Sequence, residues 1–92
     1  MPRWIDIDFD QERDARSLMH RVRNLGEDLY RACRDDGWAE ISLEEVDRAT
    51  DRLTVRVLSA KHVRRVATMI EKLLAEHLFA GKARLSHIHD RS

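Results

Sequence analysis

Residues 4–10, with the sequence WIDIDFD, decide the fold, because they define a first strand and the point where it gives way to a helix. Ile5, Ile7 and Phe9 alternate with polar residues, and a period of two is typical of a strand with one buried face. From residue 12 onward, apolar residues recur every three or four positions, as along one side of a helix. The sequence therefore predicts a half-buried strand followed by a helix over about residues 11–36.

The same change of period occurs a second time. Alternation predicts strands in residues 38–44 and 53–58, and the segment DRATD between them supplies turn-forming residues. Ser59 is a suitable N-cap for a second helix that we expect to end at Gly81. Residues 83–89, ARLSHIH, alternate weakly. They are compatible with a short last strand, but the pattern does not determine which side chains would face the core.

The order of strand, helix, strand, strand, helix, strand predicts an α+β fold of the ferredoxin-like, or split βαβ, type. With right-handed crossovers this βαββαβ plan gives a two-layer sandwich: an antiparallel sheet in the order 4-1-3-2 with two helices on one face. The competing prediction is a two-helix hairpin beside a smaller sheet that lacks the last strand. Either way, residues 1–92 are expected to form a single small domain whose last few residues fray.

Composition narrows the class of function. Seventeen Lys and Arg balance seventeen Asp and Glu, so no net charge draws the chain to nucleic acid or to a membrane. The single cysteine, Cys33, excludes an internal disulfide and a cysteine cluster for zinc. No apolar run has the length of a signal peptide or a membrane span. These features predict a soluble, cytoplasmic protein, and no motif indicates a cofactor or a catalytic constellation.

The predicted topology leaves one face of the sheet without a covering helix. Exposed tryptophans grouped with aliphatic residues are typical of contact surfaces. We therefore expect a non-enzymatic interaction module that binds a protein partner or a second copy of itself, with a homodimer favoured by the small size of the domain. The predicted anchors are apolar and the residues around them supply charge complementarity: Trp4, Trp38 and Leu58, with Asp6, Glu40 and Arg56.

The start of the second predicted helix suggests an alternative function. Lys61, Arg64 and Arg65 lie in or next to its first turn, where the helix dipole disfavours cations. Cations at a helix N-terminus suit a phosphate or a carboxylate, so RNA or anion binding is a second hypothesis. Nucleic acid is not the favoured partner, because the central strands lack the aromatic pair that RRM modules use.

Two aspartates on the first strand suggest a third function. Asp6 and Asp8 lie about 7 Å apart on one side of that strand and could share a divalent cation in a phosphodiesterase or nuclease. The simpler interpretation is that they keep an exposed face soluble, with Arg56 on the neighbouring strand as a counter-ion. His87 and His89 share one side of the last predicted strand, but no further ligand is evident in the sequence.

Overall fold

The computed structural model describes residues 3–10, 15–35, 41–48, 52–59 and 62–90. These ranges contain six elements: β1 (Arg3–Asp10), α1 (Ala15–Asp35), β2 (Ile41–Arg48), β3 (Arg52–Ser59), α2 (Val63–Glu76) and β4 (Ala83–His89). The prediction of an α+β chain with an antiparallel sheet and two helices is confirmed. Three of the predicted site residues lie outside the described residues: Trp38, Glu40 and Lys61.

The strands form one sheet in the order β2-β3-β1-β4. All three neighbouring pairs are antiparallel, so β1 and β3 are central and β2 and β4 are the edges. Residues of like phase meet across the central pair, with Ile5 opposite Val57 and Ile7 opposite Val55. This register places one apolar row of each central strand on the same face of the sheet.

Both helices pack on that apolar face. The period-two residues of β1 and β3 are buried together with the period-three-and-four stripes of α1 and α2. Fully burying one large aliphatic or aromatic side chain contributes about 1.5–3 kcal/mol, so this shared layer supplies most of the stabilisation. Its members include Ile5, Ile7, Phe9, Leu53, Val55 and Val57 from the sheet, Leu18, Val22, Leu25 and Leu29 from α1, and Val66 and Ile70 from α2.

An irregularity in β4 explains why its sequence alternates only weakly. The register with β1 shifts after Leu85, which lies opposite Ile7, so that His87 lies opposite Asp6 and Ser86 has no register partner on β1. An extra residue of this kind is a β-bulge. The bulge keeps Leu85 and Ile88 packed against the core, although the two positions are three apart and would face opposite sides of a regular strand.

The start of α2 differs from the prediction. Ser59 is the last residue of β3 and lies opposite Ile41, so it does not cap the helix. The N-cap is His62, in a left-handed conformation with φ of 55°, and its side chain makes no capping hydrogen bond. Ser59 continues the ladder because strand pairing satisfies its backbone groups before the helix begins.

The end of α2 also differs from the prediction, because the helix ends at Glu76 rather than at Gly81. The N–H of Phe79 donates to the carbonyl of Leu74, and the N–H of Leu78 donates to that of Ala75; these two bonds define a Schellman motif. Leu78 takes the left-handed position with φ of 64° and is exposed, whereas Phe79 is buried against Phe9.

Polar contacts join the end of α2 to α1. The Nε2 atom of His77 lies 2.7 Å from Oδ2 of Asp28, and Arg21 donates to the carbonyl oxygens of His77 and Leu78. The carbonyls at a helix C-terminus lack intrahelical partners, so Arg21 satisfies groups that the end of α2 leaves over. His77 is half-buried at this polar junction. In the part of the chain that the structure describes, neither helix is both long and apolar enough to span a bilayer.

Candidate functional site: the open sheet face

The face of the sheet opposite the two helices is termed the open face. Strand alternation assigns it the residues of β1, β3 and β4 that do not point into the core, and these side chains are half-buried or exposed. Neither α1 nor α2 contributes to it within the described ranges. Its described members are Trp4, Asp6, Asp8 and Asp10 from β1, Arg52, Thr54, Arg56 and Leu58 from β3, and Arg84, His87 and His89 from β4.

Trp4 lies between side chains from both neighbouring strands. Its ring stacks on His89 of β4, with centroids 3.8 Å apart and planes inclined by 9°. From β3, the Arg56 guanidinium carbon lies 4.6 Å from the Trp4 centroid, within the range of a cation–π contact. The indole Nε1 is shielded from solvent and has no hydrogen-bond acceptor among the described residues.

The structure settles which side chains of β4 face the core, a point that the sequence pattern left open. Ile88 lies opposite Ile5 and packs against the core. His89 lies opposite Trp4 instead. The bulge at Ser86 sets this phase, because it adds one residue between the part of β4 that faces Phe9 and the part that faces Trp4.

Asp6 and Arg56 form a two-point ion pair across the central strands. Arg56 Nε donates to Asp6 Oδ1 over 2.8 Å, and Arg56 Nη2 donates to Oδ2 over 3.2 Å. Both side chains are largely shielded, with exposures of 13% for Asp6 and 27% for Arg56. The expectation that Arg56 is the counter-ion of Asp6 is confirmed, and both carboxylate oxygens are occupied by the guanidinium.

The opposite end of the open face is acidic but internally bonded. The Thr54 hydroxyl donates to Asp8 over 2.7 Å, and Arg84 pairs with Asp10 at 3.2 Å. Asp47 lies on the other side of Thr54 in the register. Among the described residues, no three metal-ligating side chains are grouped closely enough to hold a metal ion.

Four of the predicted contact residues therefore lie together on the open face: Trp4, Asp6, Arg56 and Leu58. Leu58 is half-buried and lies directly opposite Trp4. His89 is the member that sequence reasoning missed. The alternation of His87, Ile88 and His89 indicated a shared side for the two histidines, but not which face of the sheet that side would join.

The predicted anion-binding residues occupy a different surface. Arg64 and Arg65 are exposed at the start of α2. Arg64 Nε lies 3.3 Å from Asp90 Oδ2, and Arg3 Nε lies 3.3 Å from Asp90 Oδ1. Arg3 shares the phase of Ile5, so this cluster lies on the helix side of the sheet and not on the open face.

No protein-family model, curated protein or solved structure matches this chain. The described residues present two surfaces suited to binding, the open face and the basic cluster at the start of α2.

Proposed function

We propose that this chain is a non-enzymatic interaction domain that self-associates through its open face. One observation carries the proposal: Trp4 and Leu58 lie opposite each other on the central strands, on a face that neither described helix covers. Tryptophan and arginine are enriched among the residues that dominate binding energy at protein interfaces. The patch contains one of each, Trp4 and Arg56, next to the apolar side chain of Leu58.

The charges around this patch suit a contact with another protein. An unpaired charge is expensive to bury, whereas a charge that is already paired loses less when water is removed. Asp6 is paired with Arg56, and Asp8 accepts the Thr54 hydroxyl. A partner can therefore cover the open face while both carboxylates keep a hydrogen-bond donor.

The occupant that we propose is a second copy of the chain. In a twofold contact the same patch meets itself, so it must present complementary groups of both signs. Asp6 and Arg56 supply a negative and a positive group side by side, and the chain as a whole has a formal net charge of zero. Self-repulsion is therefore small, and a domain of this size gains stability when it covers apolar surface.

We further propose the ferredoxin-like class for the fold and the cytoplasm for its location. The element order and the strand order β2-β3-β1-β4 support the first assignment. The second assignment is supported by Cys33, which is buried and is the single cysteine of the chain, because a chain without disulfides is typical of reducing compartments.

Sedimentation of the chain over a range of concentrations tests self-association. We expect the wild type to form a dimer and Leu58→Lys to remain monomeric, because the lysine would place an unpaired charge in the contact. Leu78→Lys is the matched control, since Leu78 is exposed at the end of α2, and it should dimerise like the wild type. A wild-type chain that stays monomeric at high concentration would refute the proposal, whatever the variants do.

A further inference from the structure

Three arginines converge on one cavity at the start of α2, and this cluster has no role in the proposed self-association. Arg3 comes from β1, and Arg64 and Arg65 come from the first turn of α2. Together with His62, Val63 and Asp90 they line a cavity of about 470 Å³. Contributions from two separate elements make this a three-dimensional cluster rather than a run of basic sequence.

The Asp90 carboxylate shows where the guanidinium groups converge. Its two oxygens are held separately, Oδ1 by Arg3 and Oδ2 by Arg64, each at 3.3 Å. Among the described residues, Arg65 has no ion pair comparable to those of Arg3 and Arg64 with Asp90. Among the described residues that line the cavity, three are arginines and one, Asp90, is acidic, so the lining is predominantly basic.

The backbone at this place adds donors. His62 caps α2 without a side-chain hydrogen bond, and the first N–H groups of a helix have no intrahelical acceptor. The positive end of the α2 dipole points the same way. Guanidinium groups match the geometry of phosphate oxygens, so the charge and the donors at this cavity suit the same kind of ligand.

We propose that this cavity binds the phosphate group of a small molecule, and that Asp90 competes for the same arginines. A phosphate dianion offers three terminal oxygens where the Asp90 carboxylate offers two. It can therefore contact Arg3 and Arg64 together and still reach Arg65. The sequence indicated Arg64 and Arg65, and the structure adds Arg3 and the Asp90 carboxylate to them. None of these residues belongs to the open face.

Titration of the ¹⁵N-labelled chain with inorganic phosphate, at constant ionic strength, tests the proposal. We expect saturable shifts of the amide signals of Val63, Arg64 and Arg65. Arg64→Gln should weaken binding about tenfold. Asp90→Asn should strengthen it about threefold, in line with the modest strength of exposed ion pairs. Both residues are partly or largely exposed, so neither substitution disturbs the core.

Arg84→Gln is the matched control, because Arg84 also pairs with an aspartate at 3.2 Å but lies at the other end of β4. It should leave the phosphate affinity unchanged. Absence of saturable shifts at the start of α2, or equal affinity in wild type and Arg64→Gln, would overturn the proposal. Salt-dependent retention of mixed RNA without an effect of phosphate would also overturn it. Sedimentation of Arg64→Gln should match the wild type, so failure here is distinct from failure of the self-association proposal.

Discussion

Trp4 and His89 stack almost parallel across β1 and β4, with ring centroids 3.8 Å apart. The contact joins a central strand to an edge strand at the apolar end of the open face. Because cross-strand pairs are a unit of sheet stabilisation, this stack stabilises the last strand as well as positioning Trp4.

The stack should show energetic coupling in a double-mutant cycle. Trp4→Ala, His89→Ala and the double variant are compared by urea unfolding, and we expect a coupling free energy of about 0.5–1.5 kcal/mol. His87→Ala is the control, because the His87 ring does not stack on Trp4 and is tilted by 41° to that of His89. Additive effects of the two substitutions would contradict the stacked geometry.

The ion pair between Asp6 and Arg56 should depend on the shape of the guanidinium. Arg56→Lys keeps the charge but loses the two-point contact with Asp6 and the flat group next to Trp4. We expect the free energy of unfolding to fall by about 1 kcal/mol. Arg84→Lys is the comparison, because the Arg84 pair with Asp10 is more exposed and should contribute less. Equal losses in the two variants would contradict the shielding of the Asp6 pair.

Leu78 is predicted to carry backbone strain. A left-handed residue with a β-carbon is disfavoured by about 1–2 kcal/mol, and glycine avoids that penalty. We expect Leu78→Gly to be more stable than Leu78→Ala by about 1 kcal/mol in thermal or urea unfolding, because both substitutions remove the same exposed side chain. An alanine variant as stable as the glycine variant would show that position 78 is not left-handed.

Phe79 is predicted to be a principal core residue. It is 1% exposed and meets Phe9 edge to face, with centroids 5.0 Å apart. Phe79→Ala should lower the free energy of unfolding by about 3–5 kcal/mol. Leu78→Ala, at the neighbouring exposed position, should change it by no more than about 0.5 kcal/mol. A larger loss of stability in Leu78→Ala than in Phe79→Ala would contradict the burial of Phe79 and the exposure of Leu78.

The described elements and the buried stripes could be predicted because alternation is a property of each strand by itself. Ile5, Ile7 and Phe9 alternate without interruption, and Leu53, Val55 and Val57 do the same. Their burial then follows from the need to place both rows against the helices. On the open face, the pairing of Asp6 with Arg56 followed from the strand order, because that order makes β1 and β3 neighbours.

Features that depend on one backbone irregularity could not be predicted. The bulge at Ser86 reverses the phase of β4, so that His89 rather than Ile88 joins Trp4. The left-handed residue Leu78 turns the chain at the end of α2, so that Phe79 rather than Leu78 enters the core. Neither Ser86 nor Leu78 is a glycine, so no glycine in the sequence marks the bulge or the left-handed position.

Only part of the basic cluster could be predicted from the sequence. Arg64 and Arg65 stand out in sequence because they break the rule against cations at a helix start. Arg3 begins β1 and Asp90 directly follows β4. Both are far from Arg64 in sequence, so no local pattern links them. Arg3 and Arg64 each contact Asp90, and the antiparallel pairing of β1 with β4 brings Asp90 next to Arg3.

The most direct test of the central claim is a pair of ¹H–¹⁵N spectra of the wild-type chain at low and high concentration. We predict that amide signals of open-face residues such as Asp6, Arg56 and His89 shift with concentration, while those of exposed helix residues such as Arg23 and Thr68 do not. Spectra that do not change with concentration, or changes confined to α1 and α2, would contradict self-association through the open face.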